Sequence, residues 1–103
     1  MTKVCFKHDG NRYEVRATGH ATGSDAVCAA VSAIMYALAG WLINADDGGK
    51  AYDVLIDMSS GRAKLGWRGG AEADAVYNMV VIGLAQIAQS YPDYIQIDDK
   101  QSK

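Results

Sequence analysis

Twice along this chain, a pair of short runs that are apolar at every second residue gives way to a longer run that is apolar every three or four. Val4 and Phe6, then Tyr13, Val15 and Ala17, alternate with Lys3, Cys5, Lys7 and with Arg12, Glu14, Arg16 on either side of Asp9-Gly10-Asn11. A period of two puts successive side chains on opposite faces of a strand, and the Gly-Asn step turns the chain back, so these residues predict a β-hairpin. After the small, polar stretch Gly19 to Asp25 the period changes, and Val27, Val31, Ile34, Leu38 and Trp41 fall on one helical face that Gly48-Gly49 ends. The cycle then repeats. Tyr52, Val54, Ile56, Met58 and Ala63, Leu65, Trp67 flank Ser59-Ser60-Gly61 as a second hairpin. Glu72 and Asp74 open a second helix whose Val76, Val80, Gly83, Leu84 and Ile87 share a face, and Pro92 stops it. Tyr94 to Ile97 add a short last strand. The order ββαββαβ predicts an α+β domain with two helices packed on a mainly antiparallel sheet.

With 103 residues, half of them apolar, the chain has enough hydrophobic material for one core, so residues 1–97 are expected to form a single domain and 98–103 a frayed tail. Tyr77, Val81 and Ile82 lie off the main stripe of the second helix. A thin domain cannot easily cover two apolar helix faces, which leaves a deeply packed helix or a homodimer interface, and a homodimer is the expectation carried forward. The formal net charge is -2 and the ten Lys and Arg residues are scattered, which argues against direct nucleic-acid binding. Met1 to Phe6 lack the regions of a secretory signal, and the apolar stretch Ala26 to Asn44 is Ala-rich and carries Ser32 and Tyr36. A cytoplasmic protein with a buried helix, and no membrane partner, is the expectation. Two cysteines, Cys5 and Cys28, are too few to staple a secreted scaffold and are expected to be thiols in a reducing compartment.

The chemistry centres on His20 in the loop and Cys28 in the first turn of the first helix. A thiol attacks a carbonyl as its thiolate, and an ordinary cysteine, with a pKa of about 8.5, is only a few per cent ionised near neutrality. A helix N-terminus favours an anion by roughly 0.3–1 kcal/mol, and an imidazole folded over it can take the thiol proton. The unpaired N–H groups at the same helix end could hold an oxyanion. Asp25 is expected as the N-cap, with Ala26, Val27 and Cys28 as the first helical residues, or as a possible orienter of His20. A capping box with Thr22 at the cap is the alternative. Ser32, one turn beyond Cys28, is placed either to hydrogen-bond near the sulfur or to back-bond to the Cys28 carbonyl.

The string Gly19 to Ser32, GHATGSDAVCAAVS, closely resembles the signature of the ribosomal-processing cysteine protease family, Prp: Gly-His-Ala, a loop, then Asp, two residues and Cys-Ala-Ala-Val-Ser. The resemblance extends over nearly the full length. It implies that His20 is the catalytic histidine and Cys28 the nucleophile, with Asp25 and Ser32 as accompanying polar positions. It further implies a homodimeric α+β endopeptidase without a cofactor that removes a short N-terminal extension from a large-subunit ribosomal protein. The segment Ala21 to Ser24 is shorter than the family's usual loop, which bears on how the peptide is covered and chosen.

Rival readings are weaker. Cys5, His8, His20 and Cys28 are zinc-ligand types, but His8 sits at the hairpin tip and His20 beyond its open end, about 20 Å apart at roughly 3.3 Å per strand residue. A Cys5–Cys28 disulfide meets the same difficulty. Gly66-Trp67-Arg68-Gly69-Gly70 reads as a Gly-rich turn rather than a phosphate loop, since Glu72 and Asp74 would repel the phosphate. A non-catalytic dimeric module that binds a ribosomal or assembly partner is the alternative from another functional class.

Overall fold

A computed structural model describes residues 1–20 and 23–99. The capping box at Thr22 and the tail residues 100–103 lie outside the described residues. The elements are β1 (Thr2–Asp9), β2 (Arg12–Thr18), α1 (Asp25–Asp47), β3 (Ala51–Ser59), β4 (Arg62–Gly69), α2 (Ala71–Ser90) and β5 (Ile95–Asp99). They form the expected α+β arrangement, with one five-stranded sheet in the order β3-β4-β2-β1-β5. All pairings are antiparallel except β5, which runs parallel to β1 after the α2 crossover. Cys5 pairs with Asp98 and Phe6 with Asp99, so the strand takes up two residues expected to fray.

Both helices cover one face of the sheet. Val4, Phe6, Val15, Leu65 and Trp67 are buried there against Val27, Met35, Leu42 and Leu84. The buried line of α1 runs through Val27, Val31, Met35, Leu38, Leu42 and Ala45, so Ile34 and Trp41 are flanking residues only partly buried. In α2 the buried line is Ala73, Tyr77, Val80 and Leu84, which corrects the placement of Tyr77. Tyr77 belongs to the core because its ring meets Phe6 edge-on at 6.3 Å and Trp67 at 6.2 Å. By length and composition α1 could cross a membrane, but its buried residues are part of the domain's core.

Edge strand β3 departs from simple alternation. Its pairing shifts between Tyr52 and Leu55, around Asp53 with φ of +50°, and the extra residue of this bulge turns Tyr52 to the outer face. There its hydroxyl accepts a 2.8 Å hydrogen bond from Asn11. The Gly-rich run is also corrected: Gly66 to Gly69 belong to β4, not to a turn. A Cβ on Gly69 would lie 2.5 Å from that of Ala73 and 2.9 Å from the Lys50 carbonyl oxygen, so the glycine lets α2 and the end of β4 approach.

The uncovered face gathers cations that are scattered in the sequence, interleaved with acids. Glu14 lies 3.0 Å from Arg16 and 3.8 Å from each of Lys7 and Lys64. Burial alone pushes its carboxyl up, but the Arg16 hydrogen bond and the three cationic fields outweigh that and leave it below the ordinary value of 4.5. A depressed folded value stabilises the fold above the unfolded value, and the contribution is lost as pH falls through the folded one. Glu14→Gln should therefore flatten the acid limb of a Tm-against-pH curve below about pH 4.5. An unchanged limb would show that this carboxylate is not linked to folding.

Candidate active site

Strand β2 ends at Thr18, and the chain leaves the sheet at Gly19, whose φ is +85°. A Cβ there would stand 2.6 Å from the Met1 carbonyl oxygen, so only glycine fits the step before His20. The Gly19 N–H donates to the Gly61 carbonyl at 2.8 Å, tying this exit to the β3–β4 turn.

The start of α1 differs by one residue from expectation. Ser24, not Asp25, is the N-cap: its backbone is extended and its Oγ accepts from the Val27 N–H at 3.3 Å. Asp25 is the first helical residue, exposed, and outside the lining of the cleft described below. Serine wins because its short hydroxyl reaches back to the third helical N–H, while the Asp25 carboxylate remains in the first turn beside the positive helix end. Cys28 becomes the fourth helical residue, and its own N–H is engaged by the Ser24 carbonyl at 3.3 Å. The N–H groups of Asp25 and Ala26, nearer the end, have no intrahelical partner.

His20, Cys28 and Ser32 line one cleft of about 440 Å³. The β3–β4 turn, Ser59 to Arg62, also lines it, with apolar side chains including Met35 and Met58. Cys28 is half-buried and His20 is exposed at the wall, its ring over Gly61. A histidine thus shares one open cleft with a cysteine at a helix start, the two residue types that thiol-based nucleophilic catalysis uses. Cys5 is on β1 with its side chain toward the uncovered face, across the sheet from α1, and neither cysteine is disulfide-bonded. His8 is held elsewhere, stacked on Tyr13 at 4.6 Å with Nε2 2.9 Å from the Gly10 carbonyl oxygen. Among the described residues, no three His, Cys, Asp or Glu side chains converge as metal ligands.

A family profile described as cysteine protease Prp matches residues 1–96. The chain belongs to the Prp family of cysteine proteases. No curated protein sequence matches it significantly. Among solved structures, the chain resembles an essential ribosomal processing protease Prp from S. aureus in complex with a covalently linked product peptide. The identity is 24% and the TM-score 0.76, over 97% of this chain and 100% of that one. The S. aureus protease with a substrate peptide matches at 20% identity and TM-score 0.71, with the same coverage. SMU.848 from Streptococcus mutans matches at 18% identity and TM-score 0.72, over 99% of this chain and 96% of that one. These likenesses establish the Prp fold. The β3–β4 turn is the part of the cleft that sequence reasoning passed over: Ser59-Ser60-Gly61 reads only as a turn until β2 and β4 are known to pair.

Proposed function

We propose that this chain is a cysteine endopeptidase that removes an N-terminal extension from a large-subunit ribosomal protein, with Cys28 as nucleophile and His20 as general base. The observation that carries the reading is the shared cleft, which brings a histidine and a helix-start cysteine together in a member of a cysteine protease family.

His20 takes the proton from the Cys28 Sγ, and the thiolate attacks the scissile carbonyl carbon. The carbonyl becomes an oxyanion, favoured by the positive end of α1 and its unbonded N–H groups. Collapse of this intermediate breaks the C–N bond, and the His20 imidazolium protonates the departing amine. The extension is left as a thioester on Cys28. Water, deprotonated by His20, then attacks the thioester carbon. The C–S bond breaks to release the extension as a carboxylic acid, and the His20 imidazolium returns its proton to the Cys28 Sγ. Every group required is a side chain, a backbone N–H or water, so no cofactor enters. Asp25 and Ser32 are supporting residues: Asp25 adds charge at the helix start, and the Ser32 hydroxyl lines the cleft one turn beyond the sulfur. A ribosomal substrate fits a cytoplasmic enzyme. The test is incubation with an N-terminally extended large-subunit ribosomal protein, read by intact mass. A product shortened at one bond is expected, and an unchanged mass would overturn the substrate assignment.

The enzyme acts as a homodimer joined through the outer surface of its helix layer. Tyr36 and Ile43 of α1 are 67% and 61% exposed, and Met79 and Ile82 of α2 are 75% and 61% exposed. These are the four most exposed large apolar side chains among the described residues, and their sharing one layer is the mark of a protein interface. Sedimentation should report about twice 11.0 kDa, and Met79→Asp with Ile82→Asp should give a monomer. A wild-type monomer at micromolar concentration would refute this assembly.

A further inference from the structure

The β3–β4 turn does more than close one side of the cleft. A Cβ placed on Gly61 would lie 2.7 Å from the His20 Nε2 and 3.3 Å from both Cδ2 and Cε1, so the imidazole rests against the face of this glycine. The turn cannot simply drift aside to make room. Arg62 pairs with Thr18 in the β2–β4 ladder, and the Gly61 carbonyl accepts from the Gly19 N–H at 2.8 Å, one residue before His20. The Arg62 guanidinium is further held on Asp57 of β3 at 2.8 Å. The backbone that carries His20 and the backbone that supports its ring are thus locked to each other. His20 itself is exposed, and the turn gives its ring van der Waals support on the side of Gly61.

We infer that Gly61 is a positioning residue for the proposed base: its missing side chain makes the seat that holds the His20 imidazole facing the cleft. This rests on the assignment of His20 and Cys28. A displacement of about 1 Å in a catalytic group can cost on the order of 10²-fold in rate, so a methyl group in the seat should act on chemistry and not merely on folding.

The chain contains its own control. Gly61 has φ of +74° and Gly49 has φ of +75°, but a Cβ on Gly49 would meet nothing within 4 Å. Gly61→Ala and Gly49→Ala therefore both put a side chain at the same left-handed φ, and of the two only the first touches His20. Both variants should lose similar Tm. Gly61→Ala should lower kcat about 10–100-fold with little change in KM, while Gly49→Ala keeps both. A second readout needs no substrate: the rate at which iodoacetamide alkylates Cys28 at pH 6, where reactivity depends on His20 holding the thiol proton. Gly61→Ala should fall toward the His20→Ala rate, and Gly49→Ala should match wild type. Wild-type kinetics and alkylation in Gly61→Ala would overturn the seat while leaving the base in place, and so would equal losses in the two glycine variants. Equal alkylation of wild type and His20→Ala would instead remove the base, and the seat with it.

Discussion

Cys28→Ala should abolish peptide cleavage while the protein still folds, and His20→Ala should do the same. Neither side chain belongs to the fully buried core, since Cys28 is half-buried and His20 exposed, so shortening either leaves packing nearly unchanged. The expected loss is at least about 10³-fold in kcat, because a thiol without its proton acceptor and an acceptor without its thiol are equally idle. For the same reason the double variant should be no worse than the poorer single one. Cys5→Ser, across the sheet from the cleft, should be close to wild type. A quenched-fluorescence peptide spanning the extension and its junction measures all four. Substantial turnover by Cys28→Ala would exclude the nucleophile assignment.

The largest expected effect on stability belongs to Trp67→Ala. Trp67 is 1% exposed, its ring stacks on Tyr13 at a centroid distance of 5.6 Å, and Tyr77 approaches it at 6.2 Å. It therefore joins β4 to β2 and to α2 in one contact group. Removing a buried indole costs roughly 3–5 kcal/mol, which for a domain of this size lowers Tm by about 15–30 °C. Trp67→Phe should cost much less, because it keeps an aromatic ring and removes an indole N–H that is buried without a hydrogen-bond partner among the described residues. Thermal melts followed by circular dichroism separate the two. A Trp67→Ala melt within a few degrees of wild type would mean that the aromatic cluster contributes little to the fold.

Much of the architecture was legible because local patterns governed it. Val4, Phe6, Val15 and Leu65 are buried as their alternation requires, and β1, β2, α1, β4 and α2 follow the segments the periodicity marks. Departures arise where one residue of phase or a long-range pairing decides. The bulge at Asp53 moves Tyr52 to the other face, and nothing in an alternating run announces an extra residue. Ser24 and Asp25 are both good caps, so only backbone geometry separates them. The helical period puts Tyr77 off the main stripe of α2, whereas the ring is taken up by the Phe6–Trp67 cluster.

In the cleft, the proposal for His20 and Cys28 starts from features legible in the sequence, their own chemistry and the resemblance of Gly19 to Ser32 to the family signature. Gly61 was not legible, because its part depends on the β2–β4 pairing, which brings a turn some forty residues away in sequence against the loop that carries His20.

The central claim is that Cys28 carries the extension as a thioester during cleavage. Acid-quenching the enzyme while it turns over an extended ribosomal protein, then digesting it and mapping masses, tests this directly. The expected result is an adduct on the Cys28 peptide equal in mass to the acyl form of the released extension. It should be absent from Cys28→Ala and sensitive to hydroxylamine. An adduct on Cys5, or full cleavage by enzyme whose Cys28 had first been blocked by alkylation, would contradict the account.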